Sequence, residues 1–178
     1  MKPAVFLDRD GVINKAIVKD GKPFAPRSMD EFQFTDGLFE AISRLRERGF
    51  ELVVVTNQPD IAKSVTSESF VEEIHLEIAK ITGIQHFYVC KHIDEDNCDC
   101  RKPKPGLLLR ATSDLNLDLT QSFLIGDRWR DIEAGNLAGC RTIFIDYGYG
   151  EQEPLPPYIR VSSVSEASRK VLEINNGH

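Results

Sequence analysis

An α/β fold on a mainly parallel sheet is predicted by three features of this 178-residue sequence. Short apolar runs alternate with longer stretches whose apolar residues recur at helical spacing. The runs are β-branched and aromatic without long polar alternation, which suits strands covered on both faces. Polar or acidic residues follow three of the runs directly, at what would be one edge of the sheet.

The first run, residues 4–7, leads into Asp8-Arg9-Asp10-Gly11. Residues 19–27 hold Gly21, Pro23 and Pro26 and are expected as a loop beyond that strand. Leu38, Ile42 and Leu45 then mark a helix that Gly49 closes as a C-cap. The run 52–55 ends in Thr56-Asn57-Gln58. A helix over 67–80 sets Phe70, Val71, Ile74 and Ile78 on one face, and a strand follows at 86–89. Residues 91–105 are irregular. Leu107, Leu108, Ala111 and Leu115 mark a third helix. The run 123–125 delivers Gly126-Asp127-Arg128, and a helix over 130–138 ends at Gly139. A strand at 142–145, a loop with Pro154, Pro156 and Pro157, and a helix over 166–174 complete the chain. No repeat or linker divides it, so residues 1–178 are expected to form a single domain.

Composition narrows the function. Twenty-two basic and 28 acidic residues give a net charge of −6, against the cationic surplus that general nucleic-acid binding requires. No apolar run approaches the ~20 residues of a spanning helix. The N-terminus meets Asp8 after four apolar positions, too few for a signal-peptide core. A cytoplasmic monomer with no membrane partner is expected.

Asp8 and Asp10 lie two apart, so an extended segment turns both to one side. A divalent cation relieves the repulsion of such carboxylates, and Mg²⁺ favours oxygen ligands and a substrate phosphate. Asp127, from another strand end, adds a further oxygen. A carboxylate held on Mg²⁺ can attack phosphorus, while a second protonates the leaving oxygen and then activates water. Gly11 permits close backbone approach to the phosphate. The Thr56 hydroxyl can donate to a phosphoryl oxygen, and Lys102 can offset its charge. Taken singly, an Asp-x-Asp pair is a solvated turn, and a threonine or lysine is ordinary. Asn57 either contacts the phosphoryl group or shapes its turn. Asp131 either caps its helix, orients Lys102 or touches the metal. Arg101 is a candidate contact for substrate. Arg128 is another, unless it pairs with Asp127 or Asp131.

The cysteines stand at 90, 98, 100 and 140. Cys90, His92, Cys98 and Cys100 supply the four ligands of a closed zinc site, which is structural because no position stays open. The gaps are shorter than in zinc fingers, and free thiols or a redox pair are the alternatives. Cys140, before an apolar strand, is expected to be an inert buried thiol. His75 and His86 have no partners in sequence and are assigned no function.

Asp8-Arg9-Asp10-Gly11-Val12-Ile13-Asn14, Val53-Val54-Val55-Thr56-Asn57-Gln58, Arg101-Lys102-Pro103 and Gly126-Asp127-Arg128-Trp129-Arg130-Asp131 occur in that order. This resembles the four motifs of the haloacid dehalogenase superfamily of phosphatases. Within it the chain is similar to the branch of D-glycero-D-manno-heptose 1,7-bisphosphate phosphatases and histidinol-phosphate phosphatases, over roughly residues 4–148. The resemblance implies a Rossmann-like sheet with helices on both faces. It implies Asp8 as nucleophile, Asp10 as general acid/base, and phosphate contacts from Thr56 and Lys102. Mg²⁺ would be held by Asp8, Asp127 and the Asp10 carbonyl. The branch carries a zinc loop directly before its Arg-Lys-Pro motif, which supports zinc at residues 90–100.

Neither the interval from Asp10 to Thr56 nor that from Thr56 to Lys102 holds the ~50 spare residues of another domain, so no cap domain is expected. Two segments depart from the branch. Pro59-Asp60 follow Gln58 where small residues including Gly are usual, and residues 15–32 carry Gly21-Lys22-Pro23-Phe24-Ala25-Pro26-Arg27 in place of a shorter Gly-Tyr segment. The expected substrate is a heptose bisphosphate. Histidinol phosphate, a nucleic-acid 3′ end and a non-catalytic zinc-stabilised binding module are the alternatives, the last disfavoured because Asp8, Asp10, Lys102 and Asp127 are all present.

Overall fold

A computed structural model of the chain describes residues 1–176. Its elements run β1 (Ala4–Leu7), β2 (Ile17–Lys19), β3 (Lys22–Phe24), α1 (Leu38–Glu47), β4 (Glu51–Asn57), α2 (Glu68–Thr82) and β5 (His86–Cys90). They continue with α3 (Gly106–Leu115), β6 (Phe123–Gly126), α4 (Trp129–Ala138), β7 (Arg141–Ile145), β8 (Ile159–Val161) and α5 (Val164–Asn175).

Six strands form one parallel sheet in the order β5-β4-β1-β6-β7-β8. Alternation along β1 divides its side chains between two cores. Val5 and Leu7 pack with α1, α2 and α5 through Leu38, Ile42, Ile74, Ile78, Ala167 and Val171. Ala4 and Phe6 pack on the other face with α3 and α4 through Leu107, Leu108, Ala111 and Ala134. Burying both faces of the strands is what made them read as continuous apolar runs. Helix ends follow local chemistry: Ser67 Oγ accepts from the Phe70 N–H at 3.1 Å to start α2, and Gly83 closes it with φ +72°.

Two stretches differ from the sequence expectation. Residues 19–27 are not wholly loop, since β2 and β3 pair as an antiparallel hairpin. Asp20 (φ +50°) and Gly21 (φ +72°) form its turn, both left-handed as a two-residue hairpin connection demands. The proline-rich segment before α5 contains β8, which adds to β7 at the sheet edge. Three-residue strands are too short to display a period. Helices α4 and α5 also start one and two residues earlier than expected. No cap domain stands over the sheet among the described residues.

The chain leaves β1 toward β4 and later leaves β6 toward β7, so its direction of winding reverses beside β1. In doubly wound sheets that crevice is where ligands bind.

Candidate active site

Asp8 follows β1 directly, its N–H donating to the Ile125 carbonyl of β6 at 3.0 Å. Asp127 follows β6 from the adjacent strand, and Asp131 lies one turn into α4. The carboxylates of Asp8, Asp127 and Asp131 converge, with ligand oxygens within 4.8 Å of one another, and all three residues are buried. Gly126 makes this possible, because a Cβ there would lie 2.2 Å from the Cβ of Asp131.

Lys102, only 2% exposed, reaches this cluster from the segment before α3. Its Nζ donates to Asp8 Oδ1 at 2.8 Å, Asp131 Oδ1 at 2.5 Å and the Val55 carbonyl at 2.8 Å. Burial disfavours its charge, but Asp131 and Asp8 outweigh that and raise its pKa. Burial, with the charge of Asp131, pushes Asp8 up to about 6 against the pull of Lys102. Burial and the neighbouring Asp8 and Asp131 raise Asp127 well above the carboxylate range.

Three carboxylates against one ammonium leave two negative charges, which a divalent cation would neutralise. Asp127 Oδ2 accepts from Tyr149 Oη at 2.8 Å, while Oδ1 is buried without any hydrogen-bond partner. A buried orphan oxygen beside two other carboxylates fits a metal ligand. The Asp10 carboxylate lies outside this cluster; the metal role implied for Asp10 involves its carbonyl instead.

Asp10 is fixed by Arg9, which is fully buried, with Nη2 3.1 Å from Asp10 Oδ2. Asn14 Nδ2 donates to Oδ1 at 3.0 Å and Gln58 Nε2 to Oδ2 at 2.8 Å. Burial pushes its pKa up, but Arg9 and these hydrogen bonds prevail and hold it below the ordinary value. Gln58 also donates to Thr56 Oγ1 at 2.9 Å, leaving the threonine proton free to donate.

Gly11 has φ +95°, and a Cβ there would meet Asp127 Oδ2 at 1.9 Å. The glycine thus makes room for a carboxylate, a role the sequence reading did not give it. Asn57 grips the Lys102 main chain with both ends of its amide. Asp131 combines two of its three proposed roles: Oδ1 holds Lys102, and Oδ2 accepts from the Arg128 N–H at 3.0 Å to cap α4. Arg128 pairs with Glu151, not with Asp127 or Asp131. Arg101 Nε donates to Asp94 Oδ1 at 2.7 Å, and Arg130 reaches the same carboxylate at 3.1 Å. Arg101, Arg128 and Asn57 all line a cleft of about 310 Å³ with Asp8, Asp10 and Lys102.

Arg9, Gln58, Asp94, Tyr149 and Glu151 were not identified from sequence. Arg9 and Gln58 carried a signal, since Arg9 stands between Asp8 and Asp10 and Gln58 lies two residues after Thr56. The other three reach the site only through the fold.

Behind Lys102, the four predicted ligands meet. Cys90 Sγ lies 3.6 Å from His92 Nδ1 and 3.7 Å from Cys98 Sγ. Cys100 Sγ lies 3.3 Å from His92 Nδ1 and 3.4 Å from Cys98 Sγ. With Zn–S bonds of about 2.3 Å, a tetrahedron has edges of about 3.7 Å, so the cluster can hold a metal of that kind. No cysteine is in a disulfide. Cys140 is buried apart from them, as expected, and burial pushes its thiol up to about 12.

Fold and site together define a hydrolase of the HAD-like class, and the Hydrolase_like (HAD-hydrolase-like) family model matches residues 99–167. The chain is 40% identical to D-glycero-beta-D-manno-heptose-1,7-bisphosphate 7-phosphatase of Photorhabdus laumondii over 156 residues, 79% of this chain and 78% of that protein. Identity to the protein of the same name from Escherichia coli K12 is 37% over 152 residues, 79% of this chain and 76% of that protein. The solved D,D-heptose 1,7-bisphosphate phosphatase of B. bronchiseptica, complexed with magnesium and phosphate, superposes with a TM-score of 0.81. It is 27% identical, and the match covers 97% of this chain and 99% of that one. The chain therefore belongs to the heptose bisphosphate phosphatase family of HAD-like hydrolases.

Proposed function

We propose that this enzyme removes the C7 phosphate of D-glycero-β-D-manno-heptose 1,7-bisphosphate through an aspartyl-phosphate on Asp8. The observation that carries the chemistry is the convergence of Asp8, Asp127 and Asp131 on Lys102, with Asp127 Oδ1 left unpartnered. The substrate rests on the relatives' identity over most of the chain.

In this reading Asp8 attacks phosphorus and the bond to O7 breaks. Asp10 gives its proton to the departing O7, and then takes one from the water that releases phosphate from Asp8. The low pKa that Arg9, Asn14 and Gln58 impose suits the second, basic half. In the first half, an incoming phosphate dianion raises the proton affinity of Asp10. Thr56 and Lys102 hold phosphoryl oxygens, while Asn57 acts as a positioning residue by fixing Lys102. Gly11 admits Asp127 to the site, and Arg101 and Arg128 face the sugar side.

Asp8, Asp127 and the Asp10 carbonyl would hold Mg²⁺, which supplies the positive charge that lets a carboxylate approach a phosphate. Cys90, His92, Cys98 and Cys100 would hold Zn²⁺ and brace the segment presenting Arg101 and Lys102. The reading extends to a single catalytic domain working as a cytoplasmic monomer on small sugar phosphates, not on nucleic acid or membrane. No described helix is long and apolar enough to cross a membrane.

The test is phosphate release from both heptose 1,7-bisphosphate anomers, fructose 1,6-bisphosphate and histidinol phosphate. The β-heptose should lead. Preference for histidinol phosphate refutes the substrate, and substantial turnover by Asp8→Asn refutes the nucleophile.

A further inference from the structure

The active-site cleft carries six basic side chains: Lys22, Lys63, Arg101, Lys102, Arg128 and Arg130. Four are already matched to carboxylates. Arg101 and Arg130 share Asp94, Arg128 pairs with Glu151, and Lys102 pairs with Asp8 and Asp131. Lys22 and Lys63 make no ion pair and no side-chain hydrogen bond among the described residues. The same walls carry Asp8, Asp10, Asp60, Asp94, Asp131 and Glu151, as many acidic groups as basic ones. A substrate with two phosphates brings a charge of roughly −3 to −4. Among the matched groups only Arg101 and Arg130, which share one carboxylate, keep a positive charge over, and Asp94 holds both guanidiniums in place. The two lysines carry free ammonium groups.

Each lysine comes from one of the segments that depart from the branch pattern. Lys22 opens β3 and stands directly across the hairpin from Lys19. Like charges in opposed positions oppose pairing, and a bound anion would relieve that. The hairpin turn is anchored over the cleft, with the Gly150 N–H donating to the Gly21 carbonyl at 2.8 Å, next to the Glu151 that grips Arg128. Lys63 sits on the turn built by Pro59-Asp60, whose bonds run from the Lys63 N–H to the Pro59 carbonyl at 3.2 Å and from the Val65 N–H to the Asp60 carbonyl at 2.9 Å. Asp60 does not cancel Lys63, because its carboxylate faces Arg27 at 3.9 Å.

We propose that Lys22 and Lys63 form a subsite for the second phosphate of a sugar bisphosphate, holding it while the reacting phosphate lies at Asp8. This rests on the bisphosphate reading above and adds the residues that make the enzyme prefer two phosphates to one. Ammonium groups on flexible stems suit this task, since they follow a distal phosphate as point charges without imposing a planar geometry.

The experiment compares kcat/KM for heptose 1,7-bisphosphate, heptose 7-phosphate and a generic aryl phosphate in the wild type, Lys22→Gln, Lys63→Gln and the double variant. Each single variant should lose about five- to tenfold on the bisphosphate, chiefly in KM, and the double variant more. Heptose 7-phosphate and aryl phosphate should change less than twofold, and Lys22→Arg with Lys63→Arg should restore most of the loss. Lys80→Gln, on the exposed face of α2, controls for net charge and should change nothing. Equal losses on all three substrates, or none on the bisphosphate, overturn the subsite. A wild type that hydrolyses aryl phosphate but not heptose bisphosphate overturns the functional reading, and the subsite with it.

Discussion

Asn57 holds Lys102 by its main chain at two points, Nδ2 donating to the carbonyl at 3.0 Å and Oδ1 accepting from the N–H at 3.1 Å. The two residues are 45 apart in sequence, so this pairing ties the end of β4 to the segment that leaves the cysteine cluster. It leaves the lysine Nζ on Asp8, Asp131 and the Val55 carbonyl. Asn57→Ala removes both bonds and strands two backbone groups, at a cost of about 1–3 kcal/mol. The expected result is a fall in kcat of ten- to a hundredfold on an aryl phosphate, with a Tm loss of a few degrees. Asn57→Asp keeps the acceptor and should fall between. An Asn57→Ala enzyme with normal kcat would refute the positioning role.

That relationship also marks the boundary of what the sequence disclosed. The core strands were legible because each buries both faces and therefore reads as an apolar run. The carboxylates of Asp8, Asp10 and Asp127 were legible because they follow such runs directly. The partner of Asn57 was not, since side-chain-to-backbone pairing across 45 residues depends on register alone. Arg128 shows the same limit: local spacing suggested Asp127 or Asp131, yet the β7–β8 connection brings Glu151 to it. The hairpin of residues 17–24 was hidden by Pro23 and by strand length, although Asp20-Gly21 was a turn signal.

Magnesium should couple to pH through Asp8. Its folded pKa is raised, to about 6 against 3.8 unfolded, so in magnesium-free protein its contribution is full below about pH 3.8 and is lost as pH rises through 6. The loss by pH 7.5 is about 3 kcal/mol. A bound cation takes the place of the proton, so adding Mg²⁺ should raise Tm more at pH 7.5 than at pH 5. Thermal denaturation of dialysed protein, with and without Mg²⁺ at both pH values, reads this. A magnesium effect equal at both pH values, or absent, contradicts it.

Zinc removal should loosen the cleft wall without unfolding the sheet. The ligand segment joins the site through Asp94, which holds both Arg101 and Arg130, and through Lys102 itself. Cys98→Ser should abolish stoichiometric zinc and lower kcat/KM by about ten- to a hundredfold. Thiol titration gives an independent reading. The native holoprotein should expose no reactive cysteine, whereas chelated native protein should expose Cys98 and Cys100 and leave Cys90 and Cys140, both buried, protected. Full thiol reactivity with metal bound would argue against the site.

His75 should set part of the acid limit of the fold. Its ring stacks on Phe87 with centroids 4.8 Å apart, and its Nε2 lies 3.3 Å from Nη1 of the buried Arg9. A guanidinium can only donate, so the imidazole must accept and therefore be neutral. Burial, reinforced by the Arg9 charge, pushes its pKa down to about 4 from 6.5. Between those values the unfolded chain binds the extra proton, so stability is full above about pH 6.5 and is lost as pH falls toward 4. The loss amounts to about 3 kcal/mol. His75→Gln retains an acceptor for Arg9 but cannot titrate. Urea midpoints at pH 7 and pH 4.5 should therefore lie closer together in His75→Gln than in the wild type. Equal separations would mean that His75 takes up its proton as readily in the folded protein as in the unfolded chain, and that the arginine anchoring Asp10 does not depend on a neutral imidazole.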